Sequence, residues 1–251
     1  MELYLSGSVP YEEDWNLLRK EGCLFLLQTF YEMRKWEDDK IKKSLYCCKK
    51  FMLDSGAFTF MNSGVRVDWK QYVDDYCDFI NKWDIQQFIE LDLYGILGIE
   101  NTEKIRKYIE RRTGKKPIPV YHGTLPVSYF RKLCNEYPYI ALSATGRLKS
   151  SKWTNNKKAL KQMIRIAHSY GTKVHGLGYT KLVNLNTQEI PFYSVDSTVW
   201  LNGARFGFWY YMKHGILKRK NCAGMGIHPR KFNDNNLRVW IIKQKQLFNK
   251  N

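Results

Sequence analysis

Three aspartates each close a short apolar run: Asp54 follows FML, Asp92 follows FIEL and Asp196 follows YSV. An aspartate in such a place is half-buried, where a carboxylate costs free energy unless it is paired or put to use. The uses open to it are proton transfer and nucleophilic attack. Ser6, His122, Ser143 and His175 stand at equivalent places. Each of these alone says little, because loops begin where strands end and loops are polar.

The elements that must position these residues alternate in type. Eight strand-like apolar runs are expected at 3–5, 23–27, 51–53, 88–91, 118–121, 140–142, 173–175 and 192–195. Between them lie segments of helical period. In 68–83, Trp69, Tyr72, Val73, Tyr76, Ile80 and Trp83 recur at i, i+3, i+4 spacing, with Asp68 placed as the cap. Segment 101–112 puts Ile105, Tyr108 and Ile109 on one face, and 157–170 does the same with Leu160, Met163, Ile164 and Ala167. The stretch 233–248 reads as a basic terminal helix, whereas 180–189 is only weakly helical. Strands alternating with helices imply a parallel sheet, and eight of them favour a (β/α)8 barrel of TIM type. The expectation is one α/β barrel domain over 1–251, with a basic C-terminal helical extension over about 213–251.

Composition narrows the partners. The chain has 251 residues and a formal net charge of +17. Residues 137–251 hold 20 of the 41 basic residues but only three of the 24 acids, Glu189, Asp196 and Asp234. So one-sided a field attracts a polyanion, nucleic acid first, although a generally Lys-rich composition would also produce it. No apolar run approaches the roughly 20 residues that span a bilayer. The opening MELYLSGSVPYEEDW lacks the pattern of a secretory signal, so a cytoplasmic protein without a membrane partner is expected. The six cysteines form no C-x-x-C pair; Cys222 and His228 are two candidate metal ligands, too few for a site, and neither a metal nor a cofactor is expected.

The aspartates lie in motifs that resemble those of the tRNA-guanine transglycosylase superfamily. LDSGAFTF (53–60) is similar to its D-S-G-G-aromatic motif, and FIELDLYG (88–95) to its base-recognising strand. PVYHG (119–123), LSATG (142–146), VHGLG (174–178) and YSVDSTVW (193–200) follow in the same order. Each is unspecific alone; six in order across about 51–200 are not. The pattern is nearest to the smaller DNA-guanine transglycosylases of phages and mobile islands, which insert 7-deazaguanines into DNA. Two departures matter. A glutamine–glycine pair reads His122-Gly123 here, and the cysteine-rich zinc motif on which the tRNA enzymes lean is missing.

The resemblance implies a pentosyltransferase with Asp196 as nucleophile and Asp54 as general acid and base. It implies Asp92, His122, Gly146, Phe58 and Ser55 around the base. A basic segment, 146–156, offers Arg147, Lys149, Lys152 and Trp153 to a nucleic-acid strand, and Lys218, Arg219, Lys220, Arg230 and Lys231 extend the phosphate track. The substrates implied are DNA and a free base such as 7-cyano-7-deazaguanine, with tRNA as the alternative polymer. A non-catalytic nucleic-acid-binding subunit and a small-molecule glycosidase are the readings from other classes. Bland roles stay open beside these: an Asp–Ser turn at 196, a helix cap at 54, a structural ion pair at 92, a core aromatic at 58, a tight turn at 146 and a solvated basic segment at 146–156.

Overall fold

The computed structural model describes residues 1–251 except 8, 10, 58, 61–66, 144–155, 180, 250 and 251. Seven strands form one parallel sheet: β1 (Glu2–Ser6), β2 (Phe25–Thr29), β3 (Lys50–Asp54), β4 (Val120–Tyr121), β5 (Tyr139–Ser143), β6 (Lys173–Leu177) and β7 (Ser194–Ser197). Their order across the sheet is β3-β2-β1-β7-β6-β5-β4. The fold is therefore α/β with a parallel sheet, as the alternation of elements predicts.

The eighth expected strand does not form as a regular element. Segment 88–91 makes two isolated parallel bridges, Leu53 with Phe88 and Ile89 with Ile118. Through them residues 87–90 reach both edges of the sheet. Leu53 N–H donates to Gln87 at 2.9 Å and Ile89 N–H to Leu53 at 2.8 Å on the β3 side. Ile118 N–H donates to Phe88 at 2.8 Å and Glu90 N–H to Ile118 at 3.0 Å on the β4 side. Pro117 and Pro119 have no N–H and face β5, where the Pro119 carbonyl accepts from Ala141 N–H at 2.8 Å, so they shorten β4 on that side. On the other side the ladder to 88–90 stops after Ile118. The next amide, Val120 N–H, goes to the Glu90 side chain at 2.5 Å instead of to a strand carbonyl.

Side chains along each strand alternate between two environments. Leu3, Leu5, Leu26, Ile140, Leu142, Val174 and Val195 pack against helix residues such as Trp15, Phe130, Ile164 and Trp240. The opposite set, Tyr4, Phe25, Leu27, Met52, Ile89, Ile118, Val120, Tyr139 and Ala141, packs together on the concave side of the sheet. Asp54 shares the parity of Met52, Ser143 that of Ala141, and Asp196 that of Ser194.

The covering helices follow the sequence closely over 68–83 and 157–170, while the one expected at 101–112 begins earlier, at Tyr94. They are α1 (Glu12–Lys20), α2 (Phe30–Met33), α3 (Asp38–Leu45), α4 (Trp69–Lys82), α5 (Tyr94–Thr113), α6 (Val127–Glu136), α7 (Lys157–Ser169), α8 (Leu182–Thr187), α9 (Asn202–Phe206) and α10 (Pro229–Phe248). Asp68 caps α4 by accepting from Gln71 N–H at 3.1 Å, and Asn156 caps α7 by accepting from Ala159 N–H at 3.1 Å. The C-terminal extension is a correction. It is not wholly helical: an antiparallel hairpin, β8 (Phe208–Lys213) and β9 (Ile216–Asn221), precedes α10. His214 and Gly215 turn it with φ of 50° and 74°, the paired positive angles of a two-residue hairpin turn.

No helix among the described residues is long and apolar enough to cross a membrane. The six cysteines are thiols, five of them buried.

One buried ion pair braces the segment that carries Asp92. Arg106 of α5 donates through Nε to Glu90 at 2.5 Å and through Nη2 at 3.3 Å, with both residues at most 2% exposed. Arg106→Met would leave Glu90 charged, buried and short of its cation. We expect a loss of about 3–5 kcal/mol in urea unfolding, largely recovered when Glu90→Gln is added. Equal stability of Arg106→Met and wild type would refute this.

Candidate active site

Two strands and one loop deliver the aspartates to a single cavity. Asp54 is the last residue of β3, Asp92 follows the bridging segment, and Asp196 is the third residue of β7. All three line a cavity of about 380 Å³ together with Ser55, Ala57, Ile89, Ser143, Leu177, Gly178 and Thr198. This falls in the range of about 300–1,000 Å³ usual for small-ligand sites. Parallel strands start on one side of the sheet and end on the other, so strand-terminal residues necessarily gather at one rim.

Each carboxylate sits in a different electrostatic setting. Asp196 is buried, 6% exposed. Its Oδ1 accepts from Gly178 N–H at 2.5 Å and faces His175 Nε2 at 3.2 Å. Asp54 is set apart by its charge environment. Burial pushes its carboxyl up to about 7, the charges of Asp196 and Asp92 add to the rise, and the backbone N–H groups of Gly56 and Ser55 oppose it. Asp92 is held from behind by His122, whose Nε2 lies 2.8 and 2.9 Å from its two oxygens.

The D-S-G turn after β3 has a packing reason of its own. Gly56 has φ +75°, and a Cβ there would lie 2.5 Å from Tyr31 Cβ. Ser55 is 1% exposed; its carbonyl accepts from Tyr72 Oη–H at 2.6 Å, which ties the turn to α4. Ser55 therefore lines the cavity chiefly as a fixed corner beside Asp54.

Not every expected residue reaches this cavity. His122 is buried behind Asp92, with the Tyr94 ring tilted against it at 5.1 Å and Nδ1 without a partner among the described residues. It stands next to the base-recognising aspartate rather than among the residues lining the cavity. Phe58, Gly146, Arg147, Lys149, Lys152 and Trp153 lie outside the described residues. Lys218, Arg219 and Lys220 sit exposed on β9, where Arg219 lies over the Phe208 ring at 4.4 Å. Lys231 is exposed in the first turn of α10. Arg230 is engaged by two carboxylates, Asp14 at 2.8 Å and Asp234 at 2.8 Å.

Cys222 and His228 have separate tasks. Cys222 is buried, and His228 caps α10 by accepting from Arg230 N–H at 3.2 Å. Among the described residues no group of three His, Cys, Asp or Glu could hold a metal ion.

The residues that sequence reasoning left without a role are the ones behind Asp196. His175 was placed at a strand end by the sequence. Its partner could be read only from the register, which sets His175 opposite Ser194, two residues before Asp196. Gly178 and Thr198 lie within the VHGLG and YSVDSTVW motifs but were given no role of their own.

Chemically, the cavity offers a carboxylate held by donors, a carboxyl poised near neutrality and a third carboxylate backed by an imidazole. A comparison with the profiles of known protein families finds no match, and a comparison with curated proteins finds none.

Proposed function

We propose that this chain is a DNA-guanine transglycosylase, exchanging a guanine in DNA for a free 7-deazaguanine base. The observation that carries the reading is the convergence of Asp54, Asp92 and Asp196 on one cavity, with Asp54 pushed up to about 7. Six motifs of the superfamily in order and the basic second half of the chain support it. The fold belongs to the same reading. On this reading segment 87–90, bridged to β3 and β4, takes the place of the eighth strand of a (β/α)8-type barrel that the seven regular strands do not close by themselves, with the active rim at the C-terminal end of the strands.

Base exchange breaks an N-glycosidic bond through an oxocarbenium-like transition state. With Oδ1 of Asp196 engaged by donors, Oδ2 is the oxygen assigned to attack C1′. The C–N bonding pair leaves with the guanine, and the Asp54 carboxyl supplies the proton that the departing base needs. The resulting Asp54 carboxylate then takes a proton from the incoming base as that base attacks C1′ and releases Asp196. A group at about 7 serves both steps, because near neutral pH it populates both forms. Asp92 accepts hydrogen bonds from the ring N–H and exocyclic amine of a guanine-like edge. The target base must be flipped or single-stranded to enter, at a cost of a few kcal/mol.

The test offers radiolabelled guanine and 7-cyano-7-deazaguanine to the protein with DNA or with tRNA. Label is expected in DNA. Label in tRNA alone would replace the polymer, and label in neither would move the chain to the non-catalytic binding reading.

A further inference from the structure

Beneath Asp196 lies a chain of buried hydrogen bonds that the exchange reaction does not itself require. Tyr139 Oη and Ser194 Oγ are 2.5 Å apart, Ser194 Oγ and His175 Nδ1 are 2.5 Å apart, and His175 Nε2 and Asp196 Oδ1 are 3.2 Å apart. Strand parity puts the four residues on the concave side, from β5, β7, β6 and β7 in turn. His175 and Ser194 are both 0% exposed. The rings of Tyr4 and Tyr139 meet the imidazole edge-on, with centroids at 6.1 and 6.4 Å. On the far side, Tyr4 Oη–H donates to Glu2 at 3.0 Å, and Lys50 pairs with Glu2.

The direction of the hydrogen bond to Asp196 follows from its ends. An ionised Asp196 only accepts, so His175 Nε2 carries a hydrogen. Either hydroxyl of the Tyr139–Ser194 pair can donate; in the arrangement proposed below the phenol, whose hydrogen burial holds, donates to Ser194. The Ser194 hydroxyl is then free to donate onward to His175 Nδ1. Every donor thus finds an acceptor with the imidazole neutral. An imidazolium would make Ser194 accept from both neighbours and leave its own hydrogen to find another acceptor.

We propose that His175 is a positioning residue for Asp196, held by Ser194 and Tyr139 as the neutral Nε2–H tautomer. It rests on the reading of Asp196 as the attacking group. Two neutral donors, the imidazole N–H and Gly178 N–H, fix the plane of the carboxylate. A cation in the same place would also fix it, but it would draw off the negative charge that the attack on C1′ needs. Neutral donors orient the group and leave its charge in place.

The test has two arms that fail separately. The first is 15N NMR of the histidines in the wild-type protein at about pH 8, with the His175 signals assigned by His175→Gln. An unprotonated Nδ1 and a protonated Nε2 are expected. An Nδ1–H tautomer or an imidazolium overturns the proposal. Ser194→Ala removes the donor to Nδ1 and is expected to admit the other tautomer; an unchanged spectrum also counts against the chain.

The second arm is single-turnover exchange into DNA. His175→Phe is expected to lose about 10²-fold in the transfer step with the KM for DNA little changed. His175→Gln is expected to recover most of that loss, because its amide N–H replaces the imidazole donor. A His175→Phe protein as fast as wild type, or a His175→Gln protein as slow as His175→Phe, overturns it. If His175→Phe does not fold, His175→Gln and Ser194→Ala carry the comparison. Absence of exchange by the wild type removes the proposed function, and the NMR arm then decides the hydrogen-bond chain alone.

Discussion

Asp196→Asn is expected to lose base exchange by at least about 10⁴-fold while still binding DNA. Asparagine has nearly the same shape and keeps an oxygen that Gly178 N–H and His175 Nε2–H can reach, so the wall of the cavity stays as it is. What disappears is the anionic oxygen that bonds to C1′. The decisive readout is a covalent one. Wild-type protein incubated with DNA and no incoming base should yield a denaturant-stable protein–DNA adduct, and Asp196→Asn should yield none. An adduct formed equally by both proteins would remove Asp196 from the chemistry. If the wild type neither exchanges base nor forms an adduct, and DNA binding survives Asp196→Ala, the binding-subunit reading is correct instead.

The second large effect belongs to Asp54 and shows in stability as well as in rate. The carboxyl is pushed up to about 7, from an ordinary value of 3.8, by burial first and by the charges of Asp196 and Asp92 after it. Below about pH 4 the group is protonated in the folded and unfolded chain alike, so it adds no pH dependence there. Between about pH 4 and 7 the unfolded chain ionises first. It then binds fewer protons than the folded chain, so stability falls as pH rises. Above about 7 both states are ionised and the penalty is constant, at most roughly 4 kcal/mol for a shift of about three units.

Asp54→Asn should therefore unfold at higher urea than wild type at pH 8 and at the same urea near pH 4. In exchange, the wild-type rate should fall about tenfold per pH unit above about 7 as the proton donor is lost. The variant should be slow throughout and lack that step. A wild-type rate that is level from pH 6 to 9, or a stability gain that grows as pH falls, would dispose of Asp54 as the shared acid and base. Removing the neighbouring charge gives a cross-check: in Asp196→Asn the pH range over which stability falls because of Asp54 should shift to lower pH.

Local patterns in the sequence were enough to locate most elements. Helix period put α4 and α7 within a residue of their observed ends, and for α4 the cap Asp68 does bond to an amide three residues away. Short apolar runs found the strands, and polar residues at their ends found Asp54, Asp92 and Asp196. Two local signals were read wrongly. FWYYMK and ILKRKN pair as a hairpin across His214-Gly215, and the basic residues from 213 onward drew its second half into the expected helical extension. The prolines at 117 and 119 announced a shorter strand, and β4 runs over Val120–Tyr121 where 118–121 was expected.

The sequence by itself determined the order of strands and helices and which carboxylates end up at strand termini, because those depend on neighbours a few residues apart. Only the tertiary structure decided how the three aspartates differ. His175 and Asp196 are 21 residues apart, and Glu90 and Arg106 are 16 apart. Asp54 responds to Asp196 from 142 positions along the chain. Such pairings are set by the register of parallel strands and the curl of the sheet. No short window carries that information, and a shift of one residue would turn every one of these side chains to the other face.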